Sequence, residues 1–160
     1  MQTSRDVRPP TIIVPGRLIA GLHPCAFGRD EAQEAVQELL AAGVTLFLDL
    51  TLPGELASYD ELVTPPARHM RAPIRDLSVP THDALVSILD VIDDELARGG
   101  LVYVHCWAGC GRTGVVVGCW LVRHGLDPHD ALGQIARARG RGCPQTLEQR
   151  LHVLSWEHGR

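Results

Sequence analysis

The chain has 160 residues, 45% of them hydrophobic, which is enough for the core of one domain. A net charge of −4 excludes the basic face that general nucleic-acid binding needs. No apolar run reaches the ~18 residues that span a bilayer, and no basic-then-apolar leader opens the chain, so no membrane partner is expected.

Strand-like and helix-like segments alternate along the chain. Residues 1–10 end in Pro-Pro and are expected to form a flexible arm, with one domain over residues 11–160. Arg17 to Ala20 reads as a short edge strand before the Gly21–Pro24 turn. Asp30 to Ala42 puts Ala32, Ala35, Val36, Leu39 and Leu40 on one helical face, and Gly43 ends it. Val44 to Leu50 reads as a buried strand. Leu52 to Arg68, with Pro53, Gly54, Pro65 and Pro66, reads as a long loop around a short helix.

His69 to Ile74 is a second strand. Leu85, Ile88, Leu89, Ile92 and Leu96 stripe a helix that Gly99-Gly100 terminates. Leu101 to His105 is a short run of β-formers, and Thr113 to Val122 is apolar all round and long enough for a buried helix. Asp127-Pro128 opens another helix with an N-cap and a proline at its first position. Thr146 to Trp156 makes the last. Strands joined through helices imply an α/β domain whose central, mainly parallel sheet is covered by helices on both faces.

Between the last of these strands and the buried helix stands HCWAGCGR, His105 to Arg112, followed by Thr113. A tight loop here meets a helix N-terminus, where unpaired N–H groups and the helix dipole favour an anion. A helix N-terminus beside arginine lowers a thiol pKa from about 8.5 to roughly 3.5–7.5, which makes Cys106 a nucleophile. Arg112 offers a planar fork that grips two oxygens of a phosphoryl group. Gly109 and Gly111 let loop amides approach those oxygens, so Trp107 to Arg112, with Ala108 and Cys110 between, are the candidate phosphate-binding residues. Thr113 places a hydroxyl near the sulfur, suited to assisting thiolate release. His105 is expected to order the loop through hydrogen bonds.

HCWAGCGRTG resembles the His-Cys-x5-Arg-Ser/Thr signature of the cysteine-dependent protein tyrosine and dual-specificity phosphatases, in particular their small atypical members. The resemblance implies a protein phosphatase acting on phosphotyrosine, with phosphoserine and phosphothreonine left open. It implies a phosphocysteine on Cys106, a phosphorylated protein or peptide as partner, and no cofactor. The rival class is a catalytically weak phosphate-binding regulatory module on the same scaffold. The intact Cys106, Arg112 and Thr113 argue against it.

In such sheets ligands bind beyond the carboxyl ends of the strands, so polar residues after Leu50 and after Ile74 become candidates. The resemblance implies that Asp76, in PIRDLSVPT and thirty residues before Cys106, is the general acid. Asp83 is the rival, although its place at a helix start suits a dipole partner. For Gln149 two readings stay open. The resemblance implies a glutamine that positions water, and Thr146-x-x-Gln149 is also a capping box, the reading that we favour.

No metal is expected, because His23, His69, His82, His124, His129, His152 and His158 show no His-x3-His pairing. Five cysteines, an odd count without framework spacing, suggest a reducing compartment and a cytoplasmic location. Cys110 could pair with Cys106 under oxidation. Trp107 is expected to pack the loop against its neighbours, Tyr59 to pack or stack on a substrate ring, and Arg137, Arg139 and Arg141 to form a solvated helix end. All 15 basic residues are arginine, as in GC-rich bacterial coding. Oligomeric state is not legible.

Overall fold

A computed structural model of the chain describes residues 8–157. Five strands make one sheet: β1 (Thr11–Val14), β2 (Leu18–Gly21), β3 (Leu46–Asp49), β4 (Arg68–Arg71) and β5 (Val102–His105), in the order β1-β2-β5-β3-β4. Only β1 runs antiparallel, and the other neighbours pair in parallel. The helices are α1 (Arg29–Ala41), α2 (His82–Ala97), α3 (Gly111–Arg123), α4 (Pro128–Arg139) and α5 (Leu147–Leu154).

The α/β class, the mainly parallel sheet and all five helices follow the sequence reading. The differences lie at one edge. The expected edge strand is in fact flanked on both sides, because the β-branched run Thr11–Val14 turns at Pro15-Gly16 and pairs with it as a hairpin. The proposed arm falls mostly on residues 1–7, which lie outside the described residues. Arg8 and Pro9 are held by their carbonyls, which accept hydrogen bonds from Arg139.

Side-chain alternation decides which face each strand residue covers. Leu18, Ala20, Leu46, Leu48, Val102 and Val104 pack with the apolar stripes of α2, α3, α4 and α5. Ile19, Phe47 and Tyr103 point the other way, onto Ala32, Val36 and Leu39 of α1 and onto Tyr59. Both faces are therefore covered, four helices against one. Each buried leucine or isoleucine of the α2 stripe is worth roughly 1.5–3 kcal/mol relative to exposure. Leu89→Ala, at a site with no exposed surface, would cost about 2–5 kcal/mol.

The apolar α3 sits at the middle of the four-helix face, with every residue from Gly111 to Val122 buried. A Cβ at Gly118 would lie 2.9 Å from Ile135 Cδ1 and Val153 Cγ2, so glycine sets how closely α4 and α5 approach. Local signals fix the other starts. The Thr81 hydroxyl accepts the Ala84 amide and the Asp127 carboxylate accepts that of His129. This packing aims the N-terminus of α3 at the rim where the parallel strands end.

Candidate active site

The loop from Cys106 to Cys110 joins β5 to α3 at that rim. Its carbonyls are tied down one after another. The Cys106 carbonyl accepts from His105 Nδ1 at 2.9 Å and that of Trp107 from the His23 amide at 2.9 Å. Those of Ala108 and Gly109 accept from the Arg139 guanidinium, and that of Cys110 from the Gly114 amide. Among the described residues, no backbone–backbone bond outside the helices and strands takes its donor from Trp107 to Arg112. Carbonyls fastened outside with amides left over is the arrangement of an anion nest. Gly109, at φ +67°, is pressed so closely onto β2 that a Cβ would lie 2.3 Å from the Gly21 carbonyl oxygen.

Cys106 lies buried at the base of this loop with a free thiol. Beside it the Arg112 guanidinium is 1% exposed. Glu55 grips it end-on, with Nη1 donating to Oε2 at 2.9 Å and Nη2 to Oε1 at 2.6 Å. Nη1 also donates to the Ile74 carbonyl at 3.0 Å. Burial works against the Arg112 charge, and Glu55, Cys106 and Asp76 more than offset it, holding the guanidinium above its usual pKa. Two buried polar atoms here have no partner among the described residues, Arg112 Nε and Thr113 Oγ1. Orphaned groups of this kind call for an explanation, and an oxyanion in the nest supplies one.

Asp76 and Asp83 separate clearly. Asp76 Oδ1 lies 3.5 Å from Arg112 Nη2 and accepts the Leu77 amide at 2.9 Å. Leu77 adopts φ +64°, a left-handed conformation unusual for leucine, directly after this carboxylate. The Asp83 carboxylate is fully exposed and lies 3.4 Å from His82 Nδ1. Gln149 completes the capping box of α5. Its carbonyl oxygen accepts the Gln145 and Thr146 amides, and its Nε2 donates to the Ser78 carbonyl on the Asp76 loop. It also packs within 3.0 Å of where a Cβ on Gly111 would stand.

Behind the loop lies a polar layer that the sequence reading left scattered. His105 donates through Nδ1, which leaves Nε2 to accept from the Tyr59 hydroxyl at 2.5 Å. Burial raises the Tyr59 pKa well above its usual value, so that hydroxyl keeps its proton. Buried Asp49 accepts from Thr51 through Oδ1 and from His69 Nε2 at 3.0 Å, with Arg71 Nη2 at 3.5 Å and His23 Nε2 at 4.0 Å. Burial alone would raise the Asp49 pKa, yet His69, His105 and Thr51 hold it far below the carboxylate range. His23, Asp49 and His105 bring ligand atoms within 4.8 Å of one another. His23 Nδ1 accepts the Cys25 amide and both His105 nitrogens are engaged, so this set works as a hydrogen-bonded support.

Two further expectations change, and a third is decided between its two readings. Cys110 forms a disulfide with Cys143 and not with Cys106, because the α4–α5 connection brings Cys143 beside it, Cα to Cα 4.9 Å. Trp107 is half exposed and does not pack inward. Tyr59 is buried, so of its two readings packing holds and stacking on a substrate ring does not. Glu55 was missed, although it stands among the polar residues after Leu50 that the topology marks.

A family model described as the DSP-PTPase phosphatase of polymorphic toxin systems matches residues 25–126. The chain belongs to this family. The mouse protein tyrosine phosphatase domain-containing protein 1 is 31% identical over 137 residues, covering 77% of this chain and 18% of that protein. The tyrosine-protein phosphatase cdc-14 of Caenorhabditis elegans is 35% identical over 65 residues, 40% of this chain and 9% of its own. The chain thus spans a small part of either relative. Among solved structures, Tk-PTP in its active form superposes with a TM-score of 0.79 at 29% identity, covering 92% of this chain and 95% of that one. The kinase-associated phosphatase shares the fold, with a TM-score of 0.76 at 19% identity over 94% of each chain.

Proposed function

We propose that the chain hydrolyses phosphate esters of proteins, phosphotyrosine first among them, through a phosphocysteine on Cys106. One observation supports the reading: the buried Cys106 thiol begins a loop whose amides, among the described residues, donate to no backbone carbonyl outside the helices and strands, and Arg112 Nε is likewise without a partner.

In the first step the Cys106 thiolate attacks phosphorus in line and the S–P bond forms as the P–O bond breaks. Arg112 and the amides from Trp107 to Arg112 hold the equatorial oxygens as charge builds on them. Asp76 gives its proton to the departing oxygen. In the second step water attacks phosphorus, Asp76 takes the proton from that water, and the electron pair of the S–P bond returns to sulfur. The Thr113 hydroxyl, without a partner among the described residues, donates to the leaving thiolate. His105, held by Tyr59, orients the Cys106 carbonyl and with it the start of the loop.

Purified protein incubated with phosphotyrosyl and phosphothreonyl peptides, with a chelator present, tests the reading. Turnover that disappears in Cys106→Ser supports it. Hydrolysis retained in clean Cys106→Ser protein, or a wild-type protein inert toward both peptides, overturns it.

A further inference from the structure

Arg139, the last residue of α4, reads in the sequence as part of a solvated basic run, and it is buried. All five of its N–H groups find acceptors. Nε donates to the Gly109 carbonyl at 2.9 Å, and Nη2 to those of Ala108 at 3.0 Å and Arg8 at 3.1 Å. Nη1 donates to the Pro9 carbonyl at 2.6 Å and the Thr11 hydroxyl at 3.2 Å. Every acceptor is neutral, and no carboxylate among the described residues pairs with it.

We infer that Arg139 is a positioning residue that shapes and charges the phosphate-binding loop from behind; the inference rests on the phosphatase reading above and names a further part of that site. A trans peptide points its carbonyl and its N–H in opposite directions. Pulling the carbonyls of Ala108 and Gly109 outward onto one guanidinium therefore turns the N–H groups of Gly109 and Cys110 into the nest. A cation on a carbonyl also polarises its peptide, which strengthens the N–H on the far side as a donor.

Charge adds to this. The Arg112 guanidinium is matched by Glu55, whereas the Arg139 charge has no anion against it until the Cys106 thiolate or a phosphoryl group arrives. Burial lowers the Arg139 pKa, and Tyr103 and Cys106 act in the opposite direction. A buried cation without a carboxylate is expensive to keep. Part of that penalty is offset by the carbonyl ends of α4, where a helix favours positive charge. The arrangement also enlists the segment from Arg8 to Thr11 as an outer brace, with Thr11 Oγ1 donating to the Ala138 carbonyl at 3.0 Å.

Arg139→Gln and Arg139→Lys separate charge from geometry, and neither readout needs turnover. The first is the pH midpoint of Cys106 alkylation, followed by mass spectrometry of its peptide. The second is the affinity for inorganic phosphate, measured in the Cys106→Ser background. Arg139→Gln is expected to raise the midpoint by about one unit and to weaken phosphate about tenfold. Arg139→Lys, which keeps the cation and loses the fork, is expected to hold the wild-type midpoint while phosphate weakens. It carries the test by itself if Arg139→Gln cannot be purified folded. A merely structural role would lower the urea midpoint and move neither readout in folded protein. That result, or an alkylation midpoint shifted equally by both substitutions, overturns the inference. Failure of the phosphatase reading shows separately, as turnover in Cys106→Ser.

Discussion

Glu55 and Arg112, 57 residues apart, meet fork to fork in a bidentate pair of 2.9 and 2.6 Å. The pair engages both Nη atoms of the guanidinium and leaves its buried Nε without a partner among the described residues. Glu55→Gln keeps one acceptor and removes the charge. It should lower stability by about 1.5–3 kcal/mol and kcat/KM by about tenfold or more. The Arg112 hydrogen bond holds Glu55 below its ordinary 4.5. That stabilisation is therefore whole above pH 4.5 and is lost as pH falls through the lower folded value. Unchanged kinetics in Glu55→Gln would show that the pair does not position Arg112.

Asp76→Asn should slow esters with basic leaving groups by about 10²–10⁴ and spare those whose leaving group is already a weak base. Asp83→Asn is the control, because its carboxylate is fully exposed beside His82. Leaving-group dependence that appears in Asp83→Asn and not in Asp76→Asn would reverse the assignment of the acid.

His23 and His105 make the fold sensitive to mild acid, at higher pH than Glu55 does. Burial, the largest cause, holds both at about 4 against an ordinary 6.5. The unfolded chain takes up these protons as pH falls through 6.5, and the folded chain does so only near 4. Stability is therefore full above that window and declines through it, by up to about 1.4 kcal/mol per pH unit for each histidine. In His23→Asn the amide oxygen can still accept from the Cys25 N–H, and one titrating group is gone. Urea midpoints measured across the window should fall less steeply in that variant. An identical slope would mean that His23 does not contribute.

The Cys110–Cys143 disulfide closes a separation of 33 residues, for which the chain-entropy model gives about 3–4 kcal/mol. It leaves Cys25, Cys106 and Cys119 as thiols. Denaturing alkylation of protein purified without reductant should label those three, with Cys110 and Cys143 joining only after reduction. Label on Cys143 before reduction would contradict the pairing.

Much of this was legible in the chain because the signals are local. The apolar stripe of α2, the all-round apolar α3 and the Asp127-Pro128 start each depend on near neighbours, and so does the nest between β5 and α3. The rule that ligands gather beyond parallel strand ends also marked the Glu55 loop, although it could not say which of its residues turns inward. What escaped depends on chain distant in sequence. The Arg139 side chain looked solvated because its acceptors come from Arg8, Pro9, Ala108 and Gly109. The histidines looked scattered because Asp49 gathers them only once β3, β4 and β5 lie side by side. Cys143 meets Cys110 through the path of the α4–α5 connection, which no spacing announces. The strand Thr11–Val14 was visible as a β-branched run before Pro-Gly, and its place beside the Pro-Pro arm hid it.

The most direct test of the whole account is to trap the covalent intermediate. Wild-type protein mixed with a phosphotyrosyl substrate and denatured within one turnover is digested and its peptides are weighed. The account predicts one phosphoryl group on the peptide that contains Cys106, more of it in Thr113→Ala where thiolate release is slowed, and none in Cys106→Ser. Phosphate on any other residue, or steady turnover with no phosphorylated Cys106 peptide, would contradict it.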